Sequence, residues 1–193
     1  MAEFESITEK LHNILDEHRF YHTLGVSFTA QALAMKYGVD IGKAGMAGLL
    51  HDCAKAYKSE ELLKLCEDNK IMITDVERKF PALLHAKAGA LLAREEYGIA
   101  DEEILNAIIC HTTGKPCMNL LEKIIYVSDY IEPGRYKMKR LDVIRKTAFE
   151  DLDEALMMIL SDTVVHLNET KSDGIDPLTI ETYEYYKEHD NRV

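Results

Sequence analysis

The sequence lacks the features of membrane and secreted proteins. No apolar run approaches the ~20 residues that a membrane-spanning helix needs. The start, Met1-Ala2-Glu3-Phe4-Glu5, is acidic, with neither a basic segment nor an apolar signal core. The four cysteines form no C-x-x-C pair, so we expect reduced thiols rather than disulfides or a zinc ribbon. These absences predict a cytoplasmic protein without a membrane partner.

Positive charge is also scarce. The chain has 23 lysines and arginines against 34 aspartates and glutamates, which gives a formal net charge of −11. A surface this acidic disfavours nucleic acid and anionic membranes as partners. It still allows a nucleotide in a pocket that carries its own cations.

Long stretches of alternating apolar and polar residues are absent too, whereas apolar residues at helical spacing occur throughout the chain. The sequence contains no internal repeat, no low-complexity tract and no linker long enough to separate two domains. We therefore predict one all-α domain over residues 1–193, a bundle of about nine or ten helices.

Two adjacent polar residues, His51 and Asp52, follow an apolar helical run that reaches Leu50. Neighbouring side chains point about 100° apart on a helix, so both can reach one target only if the helix ends or distorts there. A metal ion most readily takes an imidazole and a carboxylate together. Lys55 follows three residues after Asp52, and a cation there suits a phosphate substrate. The alternative is a helix end with a polar cap.

Further polar residues lie in stretches otherwise suited to a core, namely His22, His85, His111 and Asp129. Taken singly, such a histidine is more often a hydrogen-bonded core residue, and such an aspartate more often pairs with a basic side chain. A buried carboxylate is costly unless it is paired or metal-bound. One metal site at which the helices converge explains all of these residues together with His51 and Asp52.

The order of these residues resembles the HD-domain metal-dependent phosphohydrolase superfamily. More specific stretches resemble the YqeK family, and the likeness covers nearly the whole chain: residues 18–22 (HRFYH), 50–55 (LHDCAK), 111–114 (HTTG) and 126–135 (YVSDYIEPGR). The resemblance implies an HD-type helical bundle. It also implies symmetrical hydrolysis of diadenosine tetraphosphate into two ADP by a metal-bound hydroxide.

The resemblance also implies the cofactor and its ligands. A first metal ion would be bound by His22, His51, Asp52 and Asp129. His85 and His111 would complete a second position, with Asp52 bridging the two. The implied cofactor is iron, as two ions, with manganese or another divalent transition metal as alternatives, since histidine-rich ligation suits these metals better than magnesium.

Substrate contacts are implied in the same way. Asp52 and Lys55 would be catalytic. The dinucleoside polyphosphate, and the ADP-type product, would contact Arg19, Asp52, Lys55, His85, His111, Thr113, Gly114, Arg135, Asp173, Gly174 and Ile175. Two of these have simpler alternatives, because Arg19 could pair with Asp16 and Gly114 could only end a helix.

Three other functions stay open. The protein could be another HD-type nucleotide phosphohydrolase, acting on a guanosine signalling nucleotide, a nucleoside monophosphate or a cyclic dinucleotide. It could also bind nucleotides without turnover, or be a purely structural bundle. Met157 and Met158 would ordinarily pack in the core, but they leave contact between copies, and hence a homo-oligomer, open.

Overall fold

The computed structural model describes residues 2–170 and 175–189, and within these ranges the regular structure is helical throughout. The α-helices are α1 (Ala2–Ile14), α2 (Glu17–Tyr37), α3 (Ile41–Leu50), α4 (Ser59–Asp68), α5 (Asp75–Lys79), α6 (His85–Glu95), α7 (Glu102–Cys110), α8 (Leu120–Ile131), α9 (Leu141–Ala148), α10 (Leu152–Thr170) and α11 (Pro177–Glu188). Short 3-10 helices cover Cys53–Ala56 and Pro81–Leu84. The all-α prediction is confirmed.

The helix count exceeds the predicted nine or ten, because eleven α-helices lie in the described ranges. The extra helix is α5, which is too short for an apolar period to reveal it. Its signal is a capping box, in which Thr74 and Glu77 bond each other's backbone N–H groups. No helix in the described ranges is long and apolar enough to cross a membrane. That residues 1–193 form one domain stays a prediction.

Polar caps set the starts of the helices that carry the candidate site. The Asp16 carboxylate accepts a hydrogen bond from the backbone N–H of Arg19 at the start of α2, and Asp40 caps α3 in the same way. Asn119 and Glu122 form a capping box at the start of α8. Because these caps fix the first residue of each helix, they also fix the face on which its histidine or aspartate lies.

The core lies between α2, α3, α7 and α8, which pack against one another around fully buried leucine and isoleucine side chains. The approach of α2 to α3 is especially close. A Cβ added at Gly48 would lie 2.8 Å from the Cα of Ser27, so only glycine permits this contact. The close approach places His22 on α2 beside His51 at the end of α3.

The chain changes conformation at the His51-Asp52 pair, as the sequence predicts. Helix α3 ends at Leu50, and the backbone of Asp52 turns to φ −110° and ψ 16° before the 3-10 helix Cys53–Ala56 begins. This conformation is outside the α-helical region. It allows the two adjacent side chains to point towards one place, which a continuous helix would prevent.

Candidate active site

The six side chains predicted as metal ligands lie together where α2, α3, α6, α7 and α8 meet, and all are buried except the half-buried Asp129. Asp52 is at the centre of this cluster and presents a different oxygen to each side. Its Oδ1 lies 3.4 Å from Nε2 of His85 and 3.5 Å from Nε2 of His111. Its Oδ2 lies 3.6 Å from Nε2 of His51 and 3.8 Å from Nε2 of His22. The remaining carboxylate, Asp129, has its Oδ1 3.1 Å from Nε2 of His22.

The histidine rings are held by their Nδ1 atoms. Three of them donate to the backbone carbonyl three residues earlier: His51 to Gly48 at 2.7 Å, His85 to Ala82 at 2.6 Å and His111 to Ile108 at 2.7 Å. Since a carbonyl oxygen can only accept, Nδ1 carries the proton in each ring. The Nε2 atoms of these rings therefore point into the cluster, as in metal-binding histidines.

The cluster also leaves buried nitrogen atoms without partners. Nε2 of His22 and Nε2 of His51 make no hydrogen bond of acceptable geometry to any described residue. Buried polar atoms of a protein rarely lack a partner unless a water molecule or an ion occupies the place. Here the orphaned atoms are imidazole nitrogens beside carboxylates, which are the donors that divalent transition metals prefer. The residues present therefore fit a metal site.

Two groups of donors have the spacing for an ion. One consists of His22, His51 and Asp129, and the other of His51, Asp52 and His111, with the donor atoms of each group within 4.8 Å of one another. His51 belongs to both groups. His85 adjoins the second group, since its Nε2 lies 3.1 Å from Nε2 of His111.

Three basic side chains line the pocket of about 310 Å³ that opens above the cluster. The Arg19 guanidinium donates to Oδ2 of Asp52. The Arg135 guanidinium donates to Oδ1 of Asp129 at 2.7 Å and to its backbone oxygen at 3.0 Å. Lys55 makes no ion pair with another described residue and remains exposed. A pocket with cations over a histidine–carboxylate floor is suited to a polyphosphate.

A family model supports this assignment. Residues 19–134 match the model described as HD domain, which spans the cluster from Arg19 to Asp129 and beyond. The chain belongs to the HD-domain family.

The relatives of this HD-domain protein include named enzymes. The symmetrical bis(5'-nucleosyl)-tetraphosphatase of Bacillus subtilis is 43% identical over 171 residues, which are 89% of this chain and 90% of the relative. The enzyme of the same name from Halalkalibacterium halodurans is 44% identical and covers 88% of this chain and 89% of the relative. The one from Staphylococcus aureus is 36% identical, with coverages of 93% and 92%.

A solved structure has the same fold. It is that of a predicted HD superfamily hydrolase involved in NAD metabolism, from Clostridium acetobutylicum. It is 44% identical to this HD-domain protein, superposes with a TM-score of 0.92, and the match covers 96% of this chain and 97% of the other. HD domains depend on a metal, which agrees with the histidine and aspartate groups described above.

The protonation states in this HD-domain protein suit metal binding. Burial lowers the pKa of His51 to about 4 and that of His85 to about 3, so both rings are neutral at pH 7. Burial acts the same way on His111, but its hydrogen bond to Asp52 outweighs this and raises its pKa. Burial would raise the pKa of Asp52, but the neighbouring His51, His111 and His85 hold it well below its usual value. Both partners of a metal bond are therefore available, a neutral imidazole and an ionised carboxylate.

The alternative pairing of Arg19 with Asp16 involves only the backbone N–H of Arg19, because its guanidinium reaches Asp52.

Lys55 shares the pocket with Arg19 and Arg135, and its surroundings there affect its pKa. Lys55 is exposed at the pocket opening, but the pocket walls remove part of the water around its ammonium group, which lowers its pKa. The carboxylate of Asp52 opposes this shift, and Arg19 and Arg135 lower the pKa further. The basic residues of the pocket therefore repel one another, and a polyanion would relieve that repulsion.

Residues 111–114 line two different pockets. The Thr112 hydroxyl lies 3.1 Å from Nε2 of both His85 and His111, inside the cluster pocket. Thr113 and Gly114 do not line that pocket; they line an adjoining one of about 180 Å³, of which Thr112 forms the shared wall. Gly114 has a φ of 67°, and its backbone N–H donates to the carbonyl of Cys110, the last residue of α7, so it closes the turn that follows the helix.

Of the predicted base or ribose wall, Asp173 and Gly174 lie outside the described residues. Ile175 is half-buried and precedes Asp176, which lines the smaller depression together with Thr113 and Gly114. Asp176 also caps α11 by accepting from the backbone N–H of Leu178. The described end of this loop is thus next to the cluster pocket rather than within it.

Glu132 is a buried carboxylate that contacts His22, although its place in the sequence did not single it out. Its Oε1 lies 3.1 Å from Nδ1 of His22. The signal that could have revealed it is its position three residues after Asp129, which places both on one side of the chain at the end of α8.

Proposed function

We propose that this protein hydrolyses diadenosine tetraphosphate symmetrically into two ADP, with two iron ions as cofactor. The observation that carries the proposal is the pair of donor groups that share His51, beneath three cations in one pocket. Relatives that cover about nine-tenths of the chain are named symmetrical bis(5'-nucleosyl)-tetraphosphatases, which supports the choice of substrate.

The ligand assignment modifies the two groups, because the inner nitrogen of His51 can bind only one ion and His85 takes its place in the second group. His22, His51 and Asp129 would hold one ion, and Asp52, His85 and His111 the other, with an oxygen of Asp52 turned towards each. When bound, such ions act as Lewis acids on phosphoryl oxygens and lower the pKa of coordinated water to near neutrality. Iron is proposed because it accepts this mixture of imidazole and carboxylate donors, and manganese is the main alternative.

The chain's own residues would orient and neutralise the substrate. Lys55 makes no ion pair with another described residue, so its ammonium group would reach phosphate oxygens directly. Arg19 and Arg135 present guanidinium groups at the same opening, where planar forks match phosphate oxygens in pairs. These cations would hold one ADP half, so that its β-phosphorus lies over the cluster and the other ADP is the leaving group.

The smaller depression offers a place for a nucleoside. It adjoins the cluster pocket at Thr112 and is lined by Thr113, Gly114 and Leu178. We propose that Thr113 and Gly114 contact the ribose or base of the held half. The same role for Asp173, Gly174 and Ile175 stays a prediction.

The experiment is a product analysis on anaerobically purified protein whose metal content has been measured. Diadenosine tetraphosphate, guanosine signalling nucleotides, nucleoside monophosphates, cyclic dinucleotides and NAD would be compared. NAD belongs in the panel because the Clostridium acetobutylicum relative is described as involved in NAD metabolism. We expect diadenosine tetraphosphate to be cleaved fastest, with ADP as the only nucleotide product. In oxygen-18 water, one label should enter the β-phosphate of one of the two ADP molecules.

Equal amounts of ATP and AMP would mean attack at an outer phosphorus and would refute symmetrical cleavage. Faster turnover of another compound would point to a different HD-type reaction. Tight binding without turnover of any compound, on protein loaded with metal, would favour a nucleotide-binding protein.

A further inference from the structure

Glu132 is a buried acid that belongs to neither group of metal donors. It directly follows α8 and is 3% exposed. Its Oε1 meets Nδ1 of His22 at 3.1 Å, and its Oε2 accepts a hydrogen bond from the backbone N–H of Gly134 at 2.5 Å. The carboxylate is therefore on the far side of the His22 ring from the metal cluster.

This contact sets His22 apart from the other histidines of the cluster. His51, His85 and His111 donate from Nδ1 to neutral backbone carbonyls of their own helical turn. In His22 the same nitrogen meets a carboxylate 110 residues away in the sequence. A carboxylate bonded to the outer nitrogen of a ligand histidine fixes the ring and makes the inner nitrogen a stronger donor.

The surrounding backbone leaves space for this carboxylate. A Cβ added at Gly25 on α2 would lie 2.5 Å from Oε2 of Glu132, and one at Gly134 would lie 3.0 Å from both carboxylate oxygens. Arg145 fixes the Glu132 backbone, since its guanidinium donates to the Glu132 carbonyl at 2.8 Å and to the Ile131 carbonyl at 2.9 Å. The position of the side chain is thus determined from several directions.

We propose that Glu132 is a positioning residue that acts through His22 and makes the His22–His51–Asp129 position the tighter of the two metal positions. This inference rests on the two-metal site of the proposed function, but not on its substrate. At the other position, the outer nitrogens of His85 and His111 are bonded only to neutral carbonyls, so these histidines have no comparable source of added donor strength.

The test is an anaerobic titration of the full chain with Fe²⁺ or Mn²⁺ against a competing chelator, which measures the two dissociation constants. Glu132→Gln keeps an oxygen that can accept from His22 but removes the charge. We expect it to weaken the tighter ion by ~10- to 100-fold, the usual effect of losing such a partner, and to leave the weaker ion unchanged. The matched control is Glu122→Gln, which changes a buried acid near the start of α8, one bonded to Lys115 rather than to a histidine. Both affinities should then stay within twofold.

A double-mutant cycle separates positioning from a general effect on the fold. If Glu132 acts through His22, Glu132→Gln should change metal affinity no further once His22→Ala is present. An additional loss in that background, an effect confined to the weaker ion, or affinities within twofold of the parent would each overturn the proposal. Circular dichroism on every variant excludes unfolding. Because the readout is metal affinity, failure of diadenosine tetraphosphate hydrolysis alone would leave this result intact, whereas a parent chain that binds no metal would overturn both.

Discussion

Replacement of Asp52 by asparagine is the most decisive perturbation of the cluster. The asparagine has nearly the same shape, but it removes a negative charge that lies 3.4 to 3.8 Å from the Nε2 atoms of all four histidines. The group formed with His51 and His111 would lose its only carboxylate, whereas the group of His22, His51 and Asp129 would keep its own. We therefore expect one ion to be lost and the other to be retained with weaker affinity.

The magnitude can be bounded. Removal of a single hydrogen-bond donor that stabilises developing charge costs about 10²–10³ in turnover. Loss of a metal ion removes more, so the Asp52→Asn variant should fall by at least about 10³, or about 4 kcal/mol in the activation free energy. The helical fold should survive, since Arg19, the closest basic partner, is partly exposed and can turn towards water.

The assay combines metal analysis, circular dichroism and diadenosine tetraphosphate turnover on the same preparation. Asp16→Asn is the matched control, because it makes the same chemical change at the start of α2, where asparagine is as good a cap as aspartate. It should keep both ions and full turnover. An Asp52→Asn protein with two tightly bound ions and turnover near that of the parent would refute the reasoning.

Three further predictions concern single residues. His111→Ala should lose mainly the ion assigned to Asp52, His85 and His111, and His22→Ala mainly the ion assigned to His22, His51 and Asp129, as measured by metal analysis. A full complement of two ions in both variants would contradict this grouping. Arg135→Ala should lower kcat/KM by an amount equal to about 2–4 kcal/mol in activation free energy, because a charge-assisted phosphate contact is lost. A kcat/KM within twofold of the parent would remove Arg135 from the site. Metal content must be measured in parallel, because this guanidinium also bonds a ligand carboxylate. The metal-free protein should lose stability as the pH falls from 6.5 towards 4. Burial depresses the pKa of His51 to about 4 and that of His85 to about 3, so the unfolded chain takes up protons at a higher pH than the folded chain. Equal urea midpoints at pH 7 and pH 5 would contradict this.

Local sequence signals explain several of the helix ends. Asp16 and Asp40 cap α2 and α3, and Gly38 closes α2 in the left-handed conformation with a φ of 74°. The end of α3 before His51 was likewise predicted from an adjacent histidine and aspartate that needed a common target. Such signals are readable because they depend on residues only a few positions apart. The short helix α5 was missed because its five residues do not contain an apolar period.

The sequence by itself therefore determined the helical class, the caps, the break at Asp52 and the identity of the candidate metal donors. Only the tertiary structure decided which oxygen of Asp52 faces which histidines, that Thr113 and Gly114 line a separate depression, and that Glu132 supports His22. The physical reason is the range of the interactions. Caps and helix ends arise within one or two turns, whereas these contacts depend on how closely separate helices pack, as Gly25 and Gly48 allow around α2.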